Sequence, residues 1–357
     1  MGLYGPPASI IVTEVIQIDR RHPDPEGISR AADCLRRGGL VAFPTETVYG
    51  LGAHAHDRDA VRRLFAAKQR PPNDPLIVHV AGVDEMRTLT SQVPPTAVAL
   101  AERFWPGPLT IVVTRAGSVP LEVTAGMDTV AIRVPAHPVA QALLAAARLP
   151  IAAPSANLFS RPSPTRAAHV LADLGGRIDI VLDAGPVDIG VESTVVDLTT
   201  VPPTVLRPGA VGVEQLRDVL PDVQLRTKAV TSSDTPLPSP GLLSQHYAPR
   251  TPMTLYPRTP SAGPESFVAH VREVLATGQR VGVLATTEDA SALRKLPVVI
   301  AELGSEAQAE AVAARLYAAL RELDASEVDV ILAHDFPTDV GLWRALRDRL
   351  RRASVQP

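Results

Sequence analysis

The chain has 357 residues, 45% hydrophobic and 20% charged. That is enough for about two globular domains and too apolar for wholesale disorder. Its 35 Lys+Arg against 38 Asp+Glu leave a net charge of -3, without the basic excess of a dedicated nucleic-acid binder, and the single Cys34 excludes an internal disulfide or a cysteine zinc cluster.

No apolar run reaches the roughly 18 residues of a membrane span. Met1 to Ile18 lacks a basic stretch followed by an apolar core and a small-residue cleavage site. The expected location is therefore cytoplasmic, with no membrane contact.

The periodicity predicts a strand ending near Ile18, then a helix carrying Ile28, Ala31, Ala32 and Leu35 and stopped by Gly38-Gly39. Leu40 to Phe43 reads as a short buried strand ending at Pro44, and Pro44-Thr45-Glu46-Thr47-Val48-Tyr49-Gly50-Leu51-Gly52 as a polar loop at its carboxyl end. Asp57 is placed to cap a helix carrying Val61, Leu64, Phe65 and Lys68 on one side. Strands are predicted at 76–80, 109–114, 129–134, 150–153, 178–183, 193–198 and 204–206. Helices are predicted near 94–104, 136–147, 165–173 and 213–220, with Thr165 as an N-cap. The elements mix without strict alternation, which points to an α/β domain around a twisted mixed sheet over residues 1–225. Residues 226–250 are Pro-rich and polar and read as a linker or lid. Residues 251–357 read as a smaller Rossmann-like unit without a GxGxxG fingerprint.

Several segments carry residues suited to chemistry. Lys68 and Arg70 leave a helix end and enter a proline-locked loop, a pattern that fits phosphates or merely complements a helix dipole. Arg133 lies on a strand face with Thr129 and Ala131, where it serves either a carboxylate ligand or a structural ion pair. Small residues and hydroxyls follow a strand at Ala153-Pro154-Ser155-Ala156-Asn157. Gly190-Val191-Glu192-Ser193-Thr194, Arg207-Pro208-Gly209 and His246-Tyr247-Ala248-Pro249 complete the set, and Tyr247 in a connecting segment suits a lid. There is no GxSxG, HExxH or P-loop motif, and no side-chain nucleophile is evident.

In this order the segments PTETVYGLG, KQRPPNDPLIVH, TVAIRVP, PSAN, GVESTVVD, LRPG and SPGLLSQHYAP closely resemble the threonylcarbamoyl-AMP synthases with a YrdC-like domain, in their long two-domain form. The resemblance spans residues 44 to 249. It implies condensation of L-threonine, bicarbonate and ATP, with Mg2+, into threonylcarbamoyl-AMP and pyrophosphate. A separate tRNA threonylcarbamoyl transferase would then take the product, and no stable nucleic-acid complex is expected. It also implies that Thr47, His79, Arg133, Ala153 and Ser193 hold threonine. Arg70, Asp74, Thr129, Ser155, Arg207 and Tyr247 would hold ATP together with Lys68, with Lys68 and Arg70 serving catalysis and no protein-bound metal.

The chain departs from the family pattern at Phe159 and Ser160, where Ser and Gly are usual, in the order Asn73-Asp74, and at Leu242 to Gln245. A carboxylate at 74 would repel phosphates unless Arg70 or Mg2+ intervenes. The alternatives are an RNA-binding or ribosome-associated module, which the net charge disfavours, a relative that uses carbamoyl phosphate, and an inactive paralogue.

Overall fold

The apolar runs resolve into two sheets in the computed structural model, which describes residues 11–226, 237, 239, 246–258 and 264–355. The first sheet is built from β1 (Glu14–Gln17), β2 (Val41–Pro44), β3 (Tyr49–His54), β4 (Ile77–His79), β5 (Leu109–Thr114), β6 (Thr129–Arg133), β7 (Ile151–Ala152), β8 (Ile180–Asp183), β9 (Thr194–Asp197), β10 (Thr204–Arg207) and β11 (Gln224–Leu225). Their order is β1-β8-β2-β3-β7-β4-β6-β5-β9-β10-β11, with parallel and antiparallel neighbours mixed. Around it lie α1 (Pro25–Arg36), α2 (Arg58–Lys68), α3 (Val83–Leu89), α4 (Pro95–Phe104), α5 (Leu121–Thr124), α6 (Pro138–Ala147), α7 (Ala167–Leu174) and α8 (Val213–Leu216).

The second sheet holds β12 (Met253–Tyr256), β13 (Val281–Ala285), β14 (Val299–Glu302) and β15 (Val330–His334), all parallel, in the order β12-β15-β13-β14. Its helices are α9 (Pro264–Ala276), α10 (Thr287–Leu293), α11 (Ala309–Ala325) and α12 (Leu342–Ala353). Leu332 and Val330 pack with Phe267 and Val271 on one face. Ile331 and Ala333 pack with Leu316, Leu320 and Leu346 on the other, the alternation a doubly covered parallel sheet requires.

Most predicted elements fall where the periodicity put them, and two local readings are corrected. Residues 49–54 are not loop but β3, folding back antiparallel on β2 with Phe43 opposite Gly50 and Pro44 opposite Tyr49. The turn at 45–48 closes when Thr45 Oγ1 donates to the Val48 carbonyl at 2.6 Å. The strand was hidden because nearly all of it is buried, so no apolar–polar alternation shows. Thr165 is not an N-cap. The helix begins at Ala167 after Arg166, whose extended backbone makes no side-chain cap, and the Thr165 N–H donates to His169 Nδ1 at 3.2 Å.

The two units share a core. Val48, Val191 and Tyr247 from the first side join Leu316, Tyr317, Leu320 and Leu346 from the second in one buried cluster. At roughly 1.5–3 kcal/mol per fully buried large apolar side chain, this is a firm seam. Gly190, at φ +82°, allows it, since a Cβ there would lie 2.3 Å from the Ala313 carbonyl oxygen. Leu237 is buried, with its N–H donating to the Asn73 carbonyl at 3.1 Å. Apart from Ser239, the remainder of the Pro-rich stretch 227–245, including Gly241, Leu242 and Gln245, lies outside the described residues, as does Met1 to Ile10.

Candidate active site

Strand ends from the middle of the first sheet converge on one cleft. Its wall includes Thr47, Arg70, His79, Arg133, Ala153, Ser155, Ser193, Arg207 and Tyr247. The sequence had marked each of these. Glu192 and His246 also line it, and neither was among the expected binding residues.

Arg133 ends β6 and is held from three sides. Its Nη2 donates to Glu46 Oε1 at 2.6 Å, Nη1 to Thr47 Oγ1 at 2.9 Å and Nε to the Gly107 carbonyl at 3.2 Å. Of five guanidinium N–H groups, two remain for a ligand. Glu46 completes this arrangement by also accepting the Ala136 N–H at 3.0 Å. It was missed because it lies far from Arg133 in sequence, although it stands inside the motif beside Thr47. His79, pushed down to about 3 by burial and then by the Arg133 charge, stays neutral. Its Nδ1, that of His246 and the Tyr247 hydroxyl are buried without a partner among the described residues. A polar ligand would relieve that cost.

Also in the wall, Arg70 Nη2 pairs with Asp74 Oδ2 at 2.9 Å and donates to the Pro75 carbonyl at 2.8 Å. The carboxylate at 74 is thereby met by Arg70, and Asp74 stands behind the cleft rather than in its wall. Arg207 Nε donates to the Ser193 carbonyl at 3.1 Å and Nη2 to Ser193 Oγ at 3.2 Å. Gly209 lets that loop lie against 192–194, where a Cβ would come within 2.2 Å of the Thr194 nitrogen.

Two further expected residues lie outside the wall. Thr129 begins β6 opposite Thr114, at the other end of the strand from Arg133. Lys68 is fully buried, and its Nζ donates to the carbonyls of Ser155 and Asn157, both at 2.5 Å. Burial, with the Arg70 charge adding, pulls its pKa well below the usual lysine value. In this geometry Lys68 fixes the loop that carries Ser155.

The unusual loop residues have physical roles. Arg70 lies over the Phe159 ring at 5.9 Å, and Phe159 meets His246 edge-on at 5.8 Å. Ser160 adopts φ +63°, the left-handed region where the usual glycine sits without strain, and its carbonyl accepts the Ala248 N–H at 2.8 Å. Tyr247 was expected as a lid residue in a connecting segment rather than as core. It is instead 1% exposed, part of the shared core as well as of the cleft.

The site thus combines an Arg133 held by three acceptors with two further guanidinium groups, Arg70 and Arg207, in one wall. Among the described residues no three His, Cys, Asp or Glu side chains gather as a metal cage. The acidic group in the wall, Glu192, is engaged by Arg349 at 2.7 Å.

An α/β enzyme with a small-molecule cleft at strand ends is what this fold and site define. Residues 33–209 match the family described as Telomere recombination, and residues 211–355 match Threonylcarbamoyl-AMP synthase, C-terminal domain. Threonylcarbamoyl-AMP synthase of Bacillus subtilis is 44% identical over 93% of this chain and 93% of its own. That of Pyrococcus abyssi is 42% identical over 91% and 93%. The structure of P. abyssi Sua5 complexed with L-threonine superposes with a TM-score of 0.88 at 40% identity, covering 96% of this chain and 98% of that one. The chain belongs to the threonylcarbamoyl-AMP synthase family, in its two-domain form.

Proposed function

We propose that the chain is a nucleotidyltransferase that joins L-threonine, bicarbonate and ATP into threonylcarbamoyl-AMP with release of pyrophosphate. The observation that carries this is the gathering of three arginines in one cleft, Arg133 held by Glu46 beside Thr47, with Arg70 and Arg207 in the same wall. In this reading the threonine carboxylate meets the two remaining N–H groups of Arg133, with Thr47, His79, Ala153 and Ser193 around it. Neutral His79 adds no charge to repel the substrate's ammonium.

Threonine's ammonium and bicarbonate give the carbamate, a water and a proton. A carbamate oxygen then attacks the α-phosphorus, and the bond to the bridging oxygen of pyrophosphate breaks. Arg70 and Arg207 stabilise the charge that grows on the leaving group, with Ser155 and Tyr247 positioning the nucleotide. Lys68 and Asp74 act through the loops they fix. Mg2+ enters with ATP on the phosphates. The carbamate and the mixed anhydride are both labile to water, which a buried cleft excludes.

The product's fate is transfer to tRNA by a separate enzyme. A cytoplasmic setting supplies ATP and tRNA and leaves Cys34 reduced, and among the described residues no helix is long and apolar enough to cross a membrane. An RNA-binding role without chemistry is disfavoured by the buried carboxylate anchor, which presents no basic surface. Pyrophosphate release assayed against a panel of amino acids tests the reading. Release that requires both threonine and bicarbonate is expected; release with either omitted would contradict it.

A further inference from the structure

Arg349 belongs to α12 of the second unit, yet its side chain is 1% exposed and reaches the cleft of the first. Nε donates to Glu192 Oε2 at 2.7 Å and Nη2 to the Pro208 carbonyl at 3.1 Å. Nη1 donates to Asp348 Oδ2 at 2.6 Å, which orients the fork from behind. The guanidinium carbon also sits 5.1 Å from the centre of the Tyr247 ring, a cation–π distance. Glu192 directly precedes Ser193, and Pro208 directly follows Arg207. One side chain therefore grips the immediate neighbours of two cleft residues and covers the ring of a third.

The carboxylate in the middle of this arrangement is fully committed. Ser163 Oγ donates to Glu192 Oε1 at 2.5 Å, and Tyr317 Oη from α11 donates to its oxygens at 3.1 and 2.9 Å. Burial opposes its charge, but Arg349 and then Arg207 outweigh this and hold the carboxyl down to about 2. A buried ion pair held by donors from three side chains is stiff, because any rotation strands a charge away from water. Ser193, downstream of it, is tied to Thr110 Oγ1 at 2.8 Å and to Arg207 at 3.2 Å.

We propose that Arg349 is a positioning residue for the nucleotide side of the cleft: it fixes Glu192, Pro208 and the Tyr247 ring, and through Pro208 the adjacent Arg207. This gives the second unit a part in the reaction without touching a substrate, and it rests on the synthase reading above. The threonine side is held from the first unit: Arg133 by Glu46, Thr47 and Gly107, and the Ser193 hydroxyl by Thr110 at 2.8 Å.

The test is steady-state kinetics on the full chain, wild type beside Arg349→Met, Arg349→Lys and Arg321→Met, with the melting temperature of each. Arg321 serves as the comparison because it pairs with Asp173 at 2.7 Å across the same seam without contacting the neighbours of cleft residues. Both Arg349 variants are expected to raise KM for ATP at least about ten-fold, the scale of a lost charge-assisted hydrogen bond, while KM for threonine moves less than about three-fold. Arg321→Met is expected to leave both within about three-fold. Should Arg349→Met fail to fold, Arg349→Lys decides, since it keeps the charge beside Glu192 and loses only the fork. An unchanged KM for ATP in the folded Arg349 variants, or an equal rise in Arg321→Met, overturns the role of Arg349 alone. A wild-type chain that makes no threonylcarbamoyl-AMP overturns the synthase reading and the inference with it.

Discussion

Arg133 shows how a single charged residue becomes specific. A guanidinium buried at a strand end is unfavourable alone, and Glu46 at 2.6 Å neutralises it while Thr47 and Gly107 set its plane. What remains is one N–H on each terminal nitrogen, the donors a bidentate carboxylate requires. Arg133→Lys keeps the charge and loses the fork, so KM for threonine is expected to rise about 10- to 100-fold with KM for ATP little changed, measured by pyrophosphate release. Arg133→Met strands the Glu46 carboxylate and is expected to lower unfolding free energy by about 3–5 kcal/mol in urea titration. The arginine itself was legible, because period-two alternation in a run such as TVAIRV leaves its direction in little doubt. Its carboxylate partner was not, because the pairing joins residues 87 apart in sequence and no local pattern records it.

Elements carry these residues into register. α2 ends on Lys68, Gln69 turns the chain at φ +54°, and Arg70 emerges toward the cleft. α6 ends in the same way at Arg148, φ +55°, on an exposed position outside the cleft wall. An L-residue in that region is strained by about 1–2 kcal/mol, and glycine's extra freedom when unfolded returns part of it. Arg148→Gly is therefore expected to stabilise the chain by about 0.5–1 kcal/mol without changing turnover, read from a urea midpoint. Helix and strand positions were mostly legible from apolar spacing. β3 was not, since burial on both faces leaves no alternation and its glycines imitate a loop. The role of Lys68 was also hidden: a Lys two residues before an Arg looks like a phosphate pair, and only the fold shows both carbonyls on its ammonium.

At the scale of the whole molecule, buried titratable groups tie stability to pH. Burial, foremost, pushes His79 down to about 3 and both His137 and His169 to about 4 from an ordinary 6.5. Below pH 6.5 the unfolded chain takes up protons that these folded histidines refuse, so stability falls on acidification from about 6.5 toward 4. His79 alone accounts for about 2 kcal/mol by pH 5. Glu192, held down to about 2 from 4.5, adds a loss in the same direction below pH 4.5. Urea titrations at pH 7.5 and 5 are expected to show the midpoint falling, and a flat midpoint would contradict the burial of these groups. The seam between the two units was the least legible feature at this scale. Its apolar members look like ordinary core of separate domains, and the pairing of Arg349 with Glu192 spans 157 positions.

The most direct measurement is mass spectrometry of the adenylate formed from ATP, L-threonine and carbon-13 bicarbonate. A threonylcarbamoyl-AMP whose carbamoyl carbon carries the label is the result this account predicts. An adenylate of threonine without that carbon, or no adenylate from a folded chain, would contradict it.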